Sequence, residues 1–391
     1  SFDTDTRISL FLKSDEEEDW IKFRTFDQDY HAWAPIGLNP DGNLLVSSNT
    51  GRDTRAIYEL DLETKEIGKS PLMEDDDYDI SGRPVQGLKS EAIIGMAYEA
   101  EKPVNRFIDP EYARIQNLID QALPNTYNAI TNVTDDGSKA IIRSISDVAS
   151  PGYYLLDLDE TNLEFLGSAM PWVDKLDLVE QKPIRFTADD GVEIHGYLYL
   201  PSSYSPDNPV PLIVNPHGGP WARDTWGIRW WIDMEPQYLA SRGFAVLKVN
   251  FRGSTGYGKE HLTSSFKNLE RMHQDVIDGV NWAVSEGFAD PDKLGIMGAS
   301  WGGYATMTAL VKEPDMFKFG VNIFGVVDIV EHTKNYLSWD RETAYNYWIH
   351  RIGDVSDEEE VEYLEEWSPI NFVSNIKAPV FIYHGVRDFN V

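Results

Sequence analysis

Cysteine is absent from all 391 residues, which removes disulfides, thiolate metal sites and thiol nucleophiles from consideration. A chain of this size can bury an adequate core without covalent staples, so the redox compartment stays open. No apolar stretch approaches the roughly 18 residues that a membrane-spanning helix needs. Basic side chains are scarce, with 34 Lys and Arg against 65 Asp and Glu and a formal charge of −31. Phosphate backbones need a basic face, so this balance argues against a nucleic-acid partner. The acidic runs Asp15–Asp19 and Ser356–Glu360 read as solvated surface. The second also suits a helix start, with Ser356 as cap and Glu359 in the capping-box position.

Against these absences stands the pentapeptide Gly298-Ala299-Ser300-Trp301-Gly302, set between a strand-like run (Leu294 to Met297) and a helix-like run (Tyr304 to Val311). A serine at a sharp strand-to-helix turn is lifted clear of the sheet, and glycines on either side let neighbouring backbones pass. The helix N-terminus aims unpaired N–H groups at the same point, so the Trp301 amide can meet a developing oxyanion. That geometry suits acyl transfer. The run from Pro211 to Asn215 leads into Pro216-His217-Gly218-Gly219-Pro220, where a glycine pair past a strand end can supply a second oxyanion donor. Phe244 to Asn250 leads into Phe251-Arg252-Gly253-Ser254-Thr255-Gly256-Tyr257-Gly258, which meets no phosphate-loop pattern and reads as a close backbone approach to the site. Phe319 to Ile323 and Val380 to His384 follow, the latter leading to Asp388. With the hairpin Ile184 to Ala188 and Ile194 to Leu200, seven strands alternate with helices in the later part, which predicts a mostly parallel sheet covered on both faces.

Residues from about 178 onward resemble the catalytic domain of the prolyl oligopeptidase family of serine peptidases, and most of all its acylaminoacyl peptidase and dipeptidyl aminopeptidase branch. The likeness rests on HGGPWARD (217–224), NFRGSTGYG (250–258), GASWGGY (298–304) and HGVRDFNV (384–391), in that order. It implies an α/β-hydrolase fold with Ser300 as nucleophile and Asp388 as the residue that orients the base. Trp301 and the Gly218 region supply the oxyanion donors, with His217 standing where a related branch has an oxyanion tyrosine. Tyr304 would wall the pocket for the residue preceding the cleaved bond. No metal or organic cofactor is implied.

The family's histidine lies in a Gly-His element beyond the aspartate, and only three residues follow Asp388 here. None of the eight histidines sits in a motif that makes it a convincing substitute. His384, four residues before Asp388, reads as structural. The expectation is therefore a piece of a longer enzyme, cut at both ends and nearly inert by itself, since triad members act as a unit. Ser1 in place of an initiator methionine points the same way.

The first 177 residues have another texture. Asp41-Gly42 with the strand-like runs after it recurs at Asp136-Gly137, and the strand run at Tyr58 recurs at Tyr154. A fainter copy lies between, at Lys89 to Ala97. The spacing amounts to two periods of about 48 residues, the length of a propeller blade. The expected organisation is a partial all-β propeller of three to four blades over 1–177 and a hydrolase domain over 178–391, lacking its C-terminal strand, helix and histidine. The resemblance implies peptide substrates admitted past the propeller. A carboxylesterase on the same fold and a non-catalytic scaffold are the rival readings. A homo-oligomer is left open, and relatives that are exported tilt the location toward a bacterial periplasm over the cytoplasm.

Overall fold

The computed structural model describes residues 7–13, 19–26, 29–87, 90–338 and 342–388. Most of the acidic run at 15–19, Lys89 of the middle repeat and the last three residues of the motif at 384–391 lie outside them. The N-terminal part is a series of short antiparallel meanders. A hairpin of β1 (Ile8–Leu12) and β2 (Ile21–Phe26) precedes a four-stranded sheet of β3 (Ala34–Leu38), β4 (Leu44–Ser48), β5 (Ala56–Asp61) and β6 (Glu66–Ile67). A three-stranded sheet follows, of β7 (Arg83–Gln86), β8 (Ile93–Glu99) and β9 (Pro103–Phe107). After α1 (Pro110–Ala122) comes a second four-stranded sheet, β10 (Tyr127–Val133), β11 (Lys139–Ile145), β12 (Gly152–Asp157) and β13 (Asn162–Ser168).

The repeat seen in the sequence is the repeat of these sheets. Each copy begins on the second strand of a meander, and the two strong copies follow an Asp-Gly turn whose glycine, Gly42 or Gly137, has positive φ (85° and 68°). Most L side chains would be strained there. The propeller region is not purely β, however. Asp109 accepts hydrogen bonds from the Glu111 and Tyr112 amides, Pro110 starts helix α1, and Ile115 and Ile119 one turn apart bury against Ala140, Ile142 and Leu156. That cap, proline and i,i+4 pair are visible in the sequence, but the strong strand repeat on either side masks them.

The second part is built on a seven-stranded sheet in the order β14-β15-β17-β16-β18-β19-β20. Its strands are β14 (Gln181–Thr187), β15 (Glu193–Tyr199), β16 (Val210–Val214), β17 (Ala245–Asn250), β18 (Ala289–Ala299), β19 (Phe319–Ile323) and β20 (Val380–Tyr383). β14, β15 and β17 pair antiparallel, and every pairing from β17 to β20 is parallel. Nearly every residue of β16 and β17 is buried, as expected of strands covered on both faces. The helices are α2 (Met234–Ser241), α3 (Gly258–Thr263), α4 (Leu269–Ser285), α5 (Trp301–Lys312), α6 (Ile329–Ser338), α7 (Glu342–Arg351) and α8 (Glu358–Glu366). α2 and α4 pack on β17, and α5 packs on β18 and β19. The start of α8 is capped one residue later than expected: Asp357 accepts from the Glu359 and Glu360 amides, while the Ser356 hydroxyl is bonded to Asp354.

Candidate active site

Parallel pairing brings the ends of β16 to β20 to one edge of the sheet, and ligands in open α/β sheets bind beyond the carboxyl ends of the strands. Every motif of the later chain follows one of these strands. Ser300 directly follows β18 with φ 56° and ψ −119°, a conformation held by the structure around it and not by local preference. Its N–H donates to the Ile323 carbonyl at the end of β19 (3.0 Å), and its carbonyl accepts the Tyr304 amide in the first turn of α5 (3.0 Å). The serine is thereby tied to the strand beside it as well as to its own helix. A side chain on Gly302 would collide with the Pro216 carbonyl, so the elbow closes against the loop that follows β16 only because residue 302 is glycine. Gly218 in that loop faces the serine: a Cβ placed on it would lie 3.4 Å from Ser300 Cβ and 3.9 Å from Ser300 Oγ. The structure thus brings Ser300, the Trp301 amide at the start of α5 and Gly218 together.

His217 is committed elsewhere. Its Nδ1 lies 2.7 Å from the Gly218 carbonyl and its Nε2 lies 2.8 Å from Ser254 Oγ. A carbonyl only accepts, so Nδ1 carries the proton and the Ser254 hydroxyl donates to Nε2. The ring stacks on Phe251 with centroids 4.4 Å apart, and desolvation lowers its pKa, keeping it neutral. With both nitrogens engaged, His217 holds the glycine loop in shape. Tyr304 sits inside the core, 4% exposed, with its ring 4.5 Å from that of Trp301; burial pushes its phenol pKa far up.

Asp388 follows β20, whose register places Tyr383 beside Ile323, the residue that receives the Ser300 amide. The Tyr383 carbonyl accepts the Phe324 amide (2.7 Å), so the ends of β18, β19 and β20 are stitched in sequence. The Asp388 N–H donates to the Gly385 carbonyl (3.0 Å), and its Oδ2 lies 4.0 Å from His384 Nε2. Two further histidines have other surroundings. His195 stacks on Tyr257 (4.5 Å) with its pKa lowered to about 3, and His261 points Nε2 at the Phe251 carbonyl with its pKa lowered to about 4. Desolvation is the leading cause in both.

Roles inside the motifs that the sequence alone does not disclose are plain in the structure. The tail of the 217–224 segment is knitted to the 250–258 loop. Asp224 N–H donates to Asn250 Oδ1 (2.8 Å), Asn250 Nδ2 to Tyr257 Oη (2.7 Å) and Arg223 Nη2 to Tyr257 Oη (2.6 Å). Arg223 also donates to the Glu99 and Ala100 carbonyls of the N-terminal part, 3.0 Å each. The buried Arg252 bonds Asp275, which is wholly buried, at 2.6 Å, and Asp190 at 2.5 Å, fixing the root of the loop that carries Ser254. Among the described residues, no group of His, Asp and Glu side chains could hold a metal ion.

A family model described as the prolyl oligopeptidase family matches residues 230–391. Dipeptidyl aminopeptidase BIII of Pseudoxanthomonas mexicana is 34% identical over 389 residues, covering 94% of this chain and 54% of the relative. The acylamino-acid-releasing enzyme of Mus musculus is 32% identical over 201 residues, covering 50% of this chain and 26% of the relative. Among solved structures, puromycin hydrolase superposes with a TM-score of 0.70 at 22% identity, covering 93% of this chain and 54% of that one. The acylaminoacyl peptidase of Pyrococcus horikoshii does so with 0.67 at 21%, covering 98% and 57%. These likenesses carry the fold, an N-terminal propeller followed by an α/β hydrolase. The chain spans about half the length of the first of these relatives.

Proposed function

Because the chain belongs to the prolyl oligopeptidase family, we propose that the full-length protein is a serine peptidase acting on short peptides, with Ser300 as its nucleophile. The observation that carries this reading is the strained backbone of Ser300, held at φ 56° on a strand-to-helix elbow with the Gly218 loop facing its hydroxyl. Relatives named for dipeptidyl aminopeptidase and acylamino-acid release favour cleavage near a substrate's amino end, yielding dipeptides or acylated residues.

In the proposed reaction Ser300 Oγ attacks the scissile carbonyl as a histidine takes its proton, forming a tetrahedral intermediate. That histidine returns the proton to the leaving amine, and water then releases the acyl group by the same steps. His195, His217 and His261 are held in other contacts and His384 reads as structural, so the base is proposed to be a histidine outside these 391 residues, oriented by Asp388. Two backbone amides serve the oxyanion. One is Trp301 N–H at the start of α5. The other lies in the Gly218–Gly219 peptide. His217 draws the Gly218 carbonyl to itself, and in a trans peptide the Gly219 N–H then points the opposite way, which makes it the better donor of that loop. On this account the chain without its base reacts slowly.

The test compares peptide p-nitroanilides with p-nitrophenyl esters on the full-length protein and its Ser300→Ala variant. Turnover of anilides that falls by about a thousandfold or more in the variant supports the reading. Fast ester hydrolysis beside negligible anilide hydrolysis makes it a carboxylesterase instead, and no turnover of either leaves a binding protein.

A further inference from the structure

In a chain with a formal charge of −31, one cavity runs against the balance. It has a volume of about 380 Å³ and lies between the sheets β7–β9 and β10–β13 and the loop before Trp230. Its charged lining is Arg83, Arg143 and Arg229 with a single carboxylate, Glu99. Glu99 is consumed by Arg229, whose two terminal nitrogens reach its two oxygens at 2.8 and 2.7 Å. Neither Arg83 nor Arg143 pairs with a carboxylate among the described residues. Arg143 gives one Nη2 hydrogen to the Arg229 carbonyl (2.9 Å) and lies 5.5 Å from the centre of the exposed Trp230 ring. The Nε groups of Arg143 and of Arg229 are buried with no hydrogen-bond partner. Arg83 stands by Tyr127, whose phenol burial pushes up against the opposing guanidinium charge.

Buried donors left unsatisfied cost free energy, and two uncompensated guanidinium groups around one cavity form a local positive field within an acidic surface. That field is relieved by one planar anion that accepts from the terminal nitrogens of a guanidinium, and a carboxylate matches that fork in shape and charge. The position fits a substrate group as well. The backbone of Glu99 on the cavity wall is held by Arg223, from the loop whose Gly218 faces Ser300. We infer that the cavity framed by Arg83, Arg143 and Arg229 is a carboxylate-binding site that holds the acidic end of a peptide. The anion site rests on the cavity itself; only the identity of its ligand as a peptide rests on the peptidase reading.

The experiment is calorimetric titration of the full-length Ser300→Ala protein with three versions of one tetrapeptide: a free C-terminal acid, the C-terminal amide, and an amide with Glu as its last residue. The free acid or the Glu amide is expected to bind about tenfold more tightly than the plain amide, as partly exposed charge-assisted bonds allow. Which of the two does so says whether the carboxylate is terminal or from a side chain. The double variant Arg83→Gln, Arg143→Gln is expected to lose this advantage and to keep the affinity for the plain amide. Equal binding of all three peptides by the protein without the arginine substitutions, or binding of none, overturns the inference without relying on how any variant folds. So does an advantage that survives in the double variant. A preference for the carboxylate in a protein whose intact Ser300 hydrolyses no peptide leaves this site standing and removes the peptidase reading.

Discussion

The two halves of the molecule are stabilised in different ways. The hydrolase part has one continuous core, running from Phe186 through Val249, Val280 and Met307 to Trp367. The propeller part has several small ones: Ile57, Ile80 and Met96 in one, Val46 and Tyr58 in another, Ile142 and Leu156 in a third. The first is shared between the β3–β6 and β7–β9 sheets, as expected of a repeat fold in which stability is the sum of local units and neighbour contacts. The boundary between the halves carries many polar contacts beside small apolar ones such as Met170 and Val173 with Ile228. Arg229 with Glu99, Arg223 with two blade carbonyls and Arg185 with Glu101 (2.8 Å) cross it, and Tyr257 of the hydrolase part enters a blade core. The loop that faces Ser300 is therefore held from both sides by directional bonds, which fix position more tightly than apolar contact does.

The comparison breaks most severely at Asp275. Replacing it with alanine leaves Arg252 buried without its main partner, and the loss expected is about 3–5 kcal/mol of stability, read by denaturant unfolding as a lower midpoint for the hydrolase half as a whole. Ile142→Ala removes apolar volume from one blade core, costing about 3 kcal/mol. Hydrogen exchange should show that loss in β10 to β13, with β16 to β19 protected as before; equal loosening of both regions would mean the blades are not separate units. A smaller effect sharpens the boundary. His195 sits between the halves, packed on Tyr257 and edge-on to Tyr78, with its pKa lowered to about 3. Unfolding takes up a proton at this residue once the pH is below its ordinary value of about 6.5. Stability that is whole above that pH is therefore lost as the pH falls toward about 3. His195→Phe keeps the stack and removes the titration, so the fall in stability between pH 7 and pH 4 should shrink by on the order of 2 kcal/mol. Thermal denaturation at the two pH values checks this, and parallel curves for both proteins would refute it.

Much of this was legible in the sequence, because the responsible signals are local. The seven apolar runs of the later chain are the seven strands, and the repeated Asp-Gly turns mark the propeller sheets. What escaped was either a local signal overshadowed by its neighbours or a contact made at long range. Helix α1 interrupts a region whose repeat announces strands alone. Asp357 caps α8 because the Ser356 hydroxyl turns back to Asp354, a choice between neighbours that composition does not decide. The work of His217 was hidden for a similar reason: its partner Ser254 is 37 residues away, and only the fold places the hydroxyl against the ring. Arg83, Arg143 and Arg229 have no common motif and meet only where two blades and a hydrolase loop converge.

The most direct test of the account is intact-mass analysis after exposure to a fluorophosphonate probe, run on the full-length protein, its Ser300→Ala variant and the 391-residue chain. The account predicts stoichiometric labelling of the full-length protein, none in the variant, and slow or negligible labelling of the 391-residue chain. Labelling that persists in the variant would contradict Ser300 as the nucleophile. Rapid labelling of the 391-residue chain would show that a group within it already serves as the base.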